Sequence, residues 1–198
     1  MLAGRMSPSL DEAICAHLAA GEHADAVTKT IEGHGPNIVE YLCVVLRDED
    51  AARDVFGHLC EELWKSIGTF RGDSAFRTWL YTLVMRAVSR YRRDGYRRRG
   101  RALVTGEASK LALEHRSATP LYQRTEVKDS IARLREALEP EEQALLFLRI
   151  DQGLSWSEVA AVLSEEGEAV EPAALRKRFE RAKARLKQLA VAEGLLPE

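Results

Sequence analysis

The chain predicts an all-α fold built as two small helical units joined by a flexible linker. Apolar residues recur at three- and four-residue steps through most of its 198 residues, and no useful stretch alternates with period two. Residues 95–125 lose that period and collect Gly, Ser, Thr and Pro, the composition of an interdomain segment. Charge is segregated along the chain as well. Lys and Arg against Asp and Glu leave residues 1–69 at −7, 86–101 at +7, 102–170 at −6 and 171–189 at +5, within a net charge of −2.

Ser9 is placed to cap a first helix ending near Ala20, and a short second helix is expected over His23 to Glu32, where Gly33-His34-Gly35-Pro36 should break it. Asn37 leads into IVEYLCVVL, a compact apolar helix that stops at the acidic turn RDED. From Glu49, Ala52, Val55, Phe56, Leu59, Leu63 and Ile67 form one stripe, leaving an acidic outer side. Gly72 ends that pattern, and Asp73 or Ser74 can cap the next helix by accepting its free amide hydrogens. There Phe76, Trp79, Leu80, Leu83, Val84, Ala87, Val88 and Tyr91 make one stripe, with Arg77, Arg86, Arg90, Arg92 and Arg93 outside it.

Beyond the linker, SIARLREAL reads as a helix, and Pro140 opens another, PEEQALLFLRID, closed by Gly153. Ser155 with Glu158 three residues on is a capping box before WSEVAAVL. After a polar turn, Pro172 begins a basic helix that turns Leu175, Phe179, Ala182, Leu186 and Leu189 inward and Arg176, Lys177, Glu180, Arg181 and Ala184 outward. A short helix, a turn and a basic helix make a helix-turn-helix whose second helix fits a major groove. Arginine can donate two hydrogen bonds to a guanine edge, lysine can contact guanine or phosphate, and glutamate can accept from a cytosine amino group. Arg176, Lys177, Glu180 and Arg181 are therefore candidate reading residues. A merely solvated basic face is the bland alternative.

Two basic islands in an acidic chain point to polyanion contacts at two separate places. No stretch reaches the ~20 apolar residues of a membrane span, so a cytoplasmic protein without membrane insertion is expected. Cys15, Cys43 and Cys60 are far apart in apolar helical contexts and read as thiols rather than a disulfide framework. Neither they nor His17 and His58 show metal-ligand spacing. No metal or cofactor is expected. With no phosphate-binding Gly-rich loop, no GxSxG and no convergent His and carboxylate set, an enzyme is not expected either.

At FRGDSAFRTWLY, residues 70–81, the chain resembles the extracytoplasmic-function sigma factors of bacterial RNA polymerase. This loop-helix and its arginine cluster resemble regions 2.3 and 2.4 of that family, and LSWSEVAAVL with LRKRFERAKARL resembles region 4.2; the likeness covers about residues 36–190. It implies an N-terminal extension over 1–35, a region 2 domain over 36–94, a linker over 95–125 and a region 4 helix-turn-helix domain over 126–192. It further implies an alternative sigma factor that binds core RNA polymerase and promoter DNA, with an anti-sigma factor as a candidate further partner. The −35 element would meet Arg176, Lys177, Glu180 and Arg181. The −10 element would meet Phe70, Arg71, Ser74, Arg77, Arg86, Arg90 and Arg93, where capture of a flipped base calls for a pocket with nearby positive charge. Asp54, Glu61 and Trp64 correspond to the polymerase-docking surface of region 2.2.

The chain departs from the family pattern at Gly57, where a clamp-contacting Gln is expected, at Arg86, where Asn is common, and in a long turn over 164–171. Two other readings accompany this one: a helix-turn-helix regulator that works without polymerase, and a degenerate sigma-like protein that binds polymerase or an anti-sigma factor without initiating.

Overall fold

The structure, a computed structural model, describes residues 9–94, 134–164 and 169–196. These are helical, with no strand among the described residues. The linker over 95–125, the first part of SIARLREAL and residues 165–168 of the long turn lie outside them.

Helix α1 (Leu10–Ala19) begins as expected: the Ser9 hydroxyl accepts from the Glu12 amide at 3.3 Å, and the Glu12 carboxylate accepts from the Ser9 amide at 2.7 Å. Helix α2 differs from expectation, for it runs unbroken over His23–Leu46 with Pro36 inside it. An interior proline loses one backbone hydrogen bond and crowds the preceding turn, at a cost of about 3 kcal/mol. Downstream, Ile38, Val39, Tyr41, Leu42 and Val45 are all buried, and each such side chain contributes roughly 1.5–3 kcal/mol. Burial along one continuous face outweighs the break. Gly33 serves packing rather than termination, because a Cβ there would stand 2.3 Å from Leu10 Cδ2 of α1.

Helix α3 (Glu49–Ser66) is capped by Asp48, whose carboxylate accepts from the Asp50 and Ala51 amides at 3.0 Å each. It buries Ala52, Val55, Phe56, Leu59 and Leu63, and one 3₁₀ turn (Ile67–Thr69) carries its apolar stripe to Ile67. Helix α4 (Phe76–Asp94) starts with Ala75 at the cap position; the Trp79 amide donates to the Ala75 carbonyl at 3.2 Å. The expected cap at Asp73 or Ser74 is therefore displaced, and the Ser74 hydroxyl donates instead to the Ala75 carbonyl at 3.4 Å.

Helix α5 (Pro140–Leu146) passes into a wider π turn, Phe147–Asp151, which the helical periodicity of PEEQALLFLRID did not disclose. Gly153, at φ +67°, ends it in a backbone region that favours glycine. Helix α6 (Trp156–Leu163) has the predicted capping box of Ser155 and Glu158. Helix α7 (Pro172–Ala192) buries Leu175, Phe179 and Ala182 and half-buries Leu186 and Leu189.

The two helical units share one apolar core. Phe147 of the π turn stacks on Tyr41 of α2 with centroids 4.4 Å apart, and meets Tyr81 of α4 edge-on at 5.4 Å. Arg47, which ends α2 in a left-handed conformation, donates to the Glu136 carbonyl at 2.7 Å.

Candidate nucleic-acid interface

The loop before α4 exposes Arg71, Asp73 and Ser74, with Gly72 at φ +78° making the turn. Phe70 is half-buried rather than free. Its ring meets Phe76 edge-on at 5.4 Å and Trp79 at 5.5 Å, so the loop is anchored on an aromatic cluster while its polar tip faces solvent. A rigid turn with an exposed guanidinium and hydroxyl beside a partly open aromatic face has the parts needed to hold a phosphate and stack a base.

Along α4 the basic residues divide. Arg86, Arg90 and Arg93 are exposed, and Arg90 pairs with Glu62 of α3 at 3.1 Å. Arg77, expected on the open side, is half-buried and occupied: its Nε and Nη2 meet the Asp11 carboxylate at 3.1 and 3.0 Å, and its Nη1 donates to the Gln152 carbonyl at 3.0 Å. Arg92 donates to the Val45 carbonyl at 3.5 Å and approaches Glu141 at 3.8 Å. The cause of this division is that α4 is covered on two faces. Beyond its apolar stripe it buries Thr78 and Tyr81, which no single-stripe reading would place inside.

Those two residues meet the C-terminal unit. The Thr78 hydroxyl donates to Glu158 Oε1 at 3.2 Å, and the Tyr81 hydroxyl donates to Gln152 Oε1. Burial pushes the Tyr81 phenol well above its ordinary range. Glu158 is held below the usual carboxylate range, chiefly by its bonds to Ser155, then by Thr78 and the charge of Arg77. A bulky aromatic off the apolar stripe, Tyr81, was the one sequence signal that could have announced this second buried face.

On α7 the side chains of Arg176, Lys177, Glu180 and Arg181 are all exposed, as the helical wheel required. Arg176 lies over the Trp156 ring at 6.0 Å and Glu180 pairs with Lys183 at 3.0 Å, so both arrive partly oriented. Trp156 in turn packs edge-on against Phe179 at 5.3 Å, which fixes α7 against α6. The Ser164 hydroxyl accepts from the Val170 amide at 3.1 Å and so joins the two ends of the long turn.

Arg86, Arg90 and Arg93 of α4 and Arg178 and Arg181 of α7 line a single cleft of about 940 Å³ between the units. Helix α3 presents Glu61 and Trp64 to solvent, the latter 61% exposed, with Asp54 half-buried on the same helix. An indole left in water on an amphipathic helix is the kind of residue that anchors a protein contact.

None of the three cysteines is in a disulfide, and burial raises the Cys60 thiol to about 12. His17, Glu22 and Asp25 bring their donor atoms within 4.8 Å of one another at the surface, an arrangement accounted for by the His17–Glu22 pair at 2.7 Å. Among the described residues no helix is long and apolar enough to cross a membrane.

Comparison with known proteins places the chain in a family. A family model described as ECF sigma factor matches residues 70–190, and one described as Sigma-70 region 2 matches residues 30–99. The chain belongs to the ECF sigma factor family. Within the family it is 28% identical over 124 residues to the RNA polymerase sigma-H factor of Pseudomonas aeruginosa, a match covering 60% of this chain and 64% of that one, just under two thirds of its length. It is 24% identical over 150 residues to the RNA polymerase sigma factor YlaC of Bacillus subtilis, covering 72% of this chain and 82% of the relative. The fold is similar to that in the structure of CnrH in complex with the cytosolic domain of CnrY, with a TM-score of 0.59, 23% identity and coverage of 93% and 99% of the two chains. As an ECF sigma factor the chain carries its loop-helix signature where the two matched segments overlap, and the helix-turn-helix lies inside the ECF match.

Proposed function

We propose that this ECF sigma factor binds core RNA polymerase in the cytoplasm and directs it to promoters, recognising −35 and −10 elements and opening the −10 duplex, with no catalysis of its own. The observation that carries the reading is the row Arg176, Lys177, Glu180 and Arg181, exposed on a helix that the Trp156–Phe179 contact holds in helix-turn-helix geometry. In this reading residues 36–94 act as region 2 and 126–192 as region 4, joined by 95–125. Arg71 and Ser74 meet the opened −10 strand against the ring of Phe70. Arg86, Arg90 and Arg93 follow its phosphates, while Arg77 reaches DNA only after leaving Asp11. Trp64 with Glu61 and Asp54 forms the polymerase-docking face. An anti-sigma factor as a partner rests on family likeness alone.

Run-off transcription with purified core polymerase on a genomic promoter pool tests the proposal. Discrete, sigma-dependent transcripts are expected. Core binding without any specific transcript would favour the degenerate sigma-like protein, and specific DNA binding without core binding would favour the simple regulator.

A further inference from the structure

Helix α1 lies outside both matched family segments, which begin at residues 30 and 70, yet it is tied to the residues that hold the two units together. The Asp11 carboxylate is shared: Oδ1 meets His34 Nε2 of α2 at 2.8 Å, and Oδ2 meets Arg77 of α4. The same guanidinium reaches across to the Gln152 carbonyl of the C-terminal unit. Residues 77, 78 and 81 are spaced to share one helical face, and all three contact that unit through Gln152 or Glu158. Because Glu158 also closes the capping box of α6, the contact is fastened to the first turn of the helix-turn-helix.

We propose that α1 is an intramolecular latch, with Asp11 as its pin, that holds the region 2 and region 4 units in a closed form unable to engage a promoter at both elements. The inference rests on the promoter-recognition reading above. The −10 and −35 elements are about 25 base pairs apart by their names, roughly 85 Å of duplex at ~3.4 Å per base pair. In the closed form Arg86, Arg90 and Arg93 face the same 940 Å³ cleft as Arg181. One cleft cannot serve both elements, so α5 and α6 must leave α4 before the DNA is bound. The closed form also holds Arg77 on Asp11, away from DNA.

The contact has the chemistry of one that reopens. Beside the shared apolar core it carries the hydrogen bonds of Arg77, Thr78 and Tyr81, and among the described residues it leaves Gln152 Nε2 buried without a partner, a group that regains its hydrogen bonds in water once the units separate. Asp11 acts through Arg77: its negative charge orients the guanidinium so that Nη1 points at the Gln152 carbonyl. Without it Arg77 is free to turn to solvent.

Hydrogen exchange read by mass spectrometry on the full-length chain tests the latch without DNA or polymerase. In Asp11→Ala, and separately in the double variant Thr78→Val with Tyr81→Phe, amide protection over residues 150–160 and 76–84 is expected to fall at least tenfold. Protection around Leu42 and Leu59, in the α2–α3 core, should be unchanged. Unchanged protection everywhere would overturn the proposal. So would an equal loss in the α2–α3 core, which would make Asp11 a purely structural residue. With core polymerase at limiting sigma concentration, Asp11→Ala should also give severalfold more transcript than the wild-type chain. An opened variant with wild-type yield would show that closure does not limit promoter access and would sink the regulatory role. Absence of transcripts from the wild-type chain would instead count against the sigma-factor reading, while the exchange result stands by itself.

Discussion

Arg181 is the sharpest test among single residues, because it is exposed in the outward row of α7 and its hydrogen bond among the described residues is a long one, 3.4 Å from Nε to the Lys177 carbonyl. Arg181→Ala should weaken binding to the −35 sequence by about 1–3 kcal/mol if the side chain reads a base edge. Binding measured on cognate and scrambled duplexes separates the cases, since an equal loss on both means a phosphate contact. His34 offers a different test. It is buried between Asp11 of α1, Arg77 of α4 and the rings of Phe76 and Tyr81. Burial lowers its pKa below the ordinary 6.5, against the raising influence of Asp11. The unfolded chain therefore takes up a proton first as pH falls past about 6.5, and stability present at neutral pH is lost on acidification toward the folded value. Thermal melts across pH 5 to 8 should show that slope, and His34→Gln should flatten it. The outward row on α7 was legible because a helical wheel needs only spacing. The engagement of Arg77 was not, since Asp11 lies 66 residues away in sequence.

At the scale of elements, α2 is where local rules and the folded chain disagree. Gly33, Gly35 and Pro36 are the residues that end helices, and an isolated peptide with this sequence would be expected to break there. In the protein Gly35 is buried, Gly33 admits Leu10, and the apolar face continues to Val45. Pro36→Ala should restore the missing backbone bond and stabilise the protein by about 1–3 kcal/mol in urea denaturation. If residues 33–36 were a working hinge between two helices, the same change would be neutral or harmful. The two capping boxes, at Ser9 and Ser155, came directly from sequence because the motif is local. The displaced start of α4 shows the limit of that rule: Phe76 is packed with Phe70 and Trp79, and this cluster places the first turn regardless of the better capping residues upstream.

At the scale of the molecule, the shared core makes cooperativity the quantity to measure. Tyr41, Tyr81 and Phe147 belong to different helical segments yet pack as one cluster. Urea unfolding of a chain with Trp64 and Trp79 replaced by phenylalanine should therefore give coincident transitions for the fluorescence of Trp156, in the C-terminal unit, and for helical circular dichroism. Phe147→Ala should separate them, with the C-terminal unit melting first. By itself the sequence determined the helical class, most of the inward stripes, two capping boxes, the outward row of α7 and the family signature at residues 70–81. Each of these is a matter of spacing or local hydrogen bonding within a few residues. Only the tertiary structure decided that α2 is continuous, that α4 is buried on a second face, that Asp11 holds Arg77 and that basic residues of both units open into one cleft. The physical reason is common to all four: burial and ion pairing act between groups distant in the chain, and their energies exceed the local preferences that a sequence pattern records.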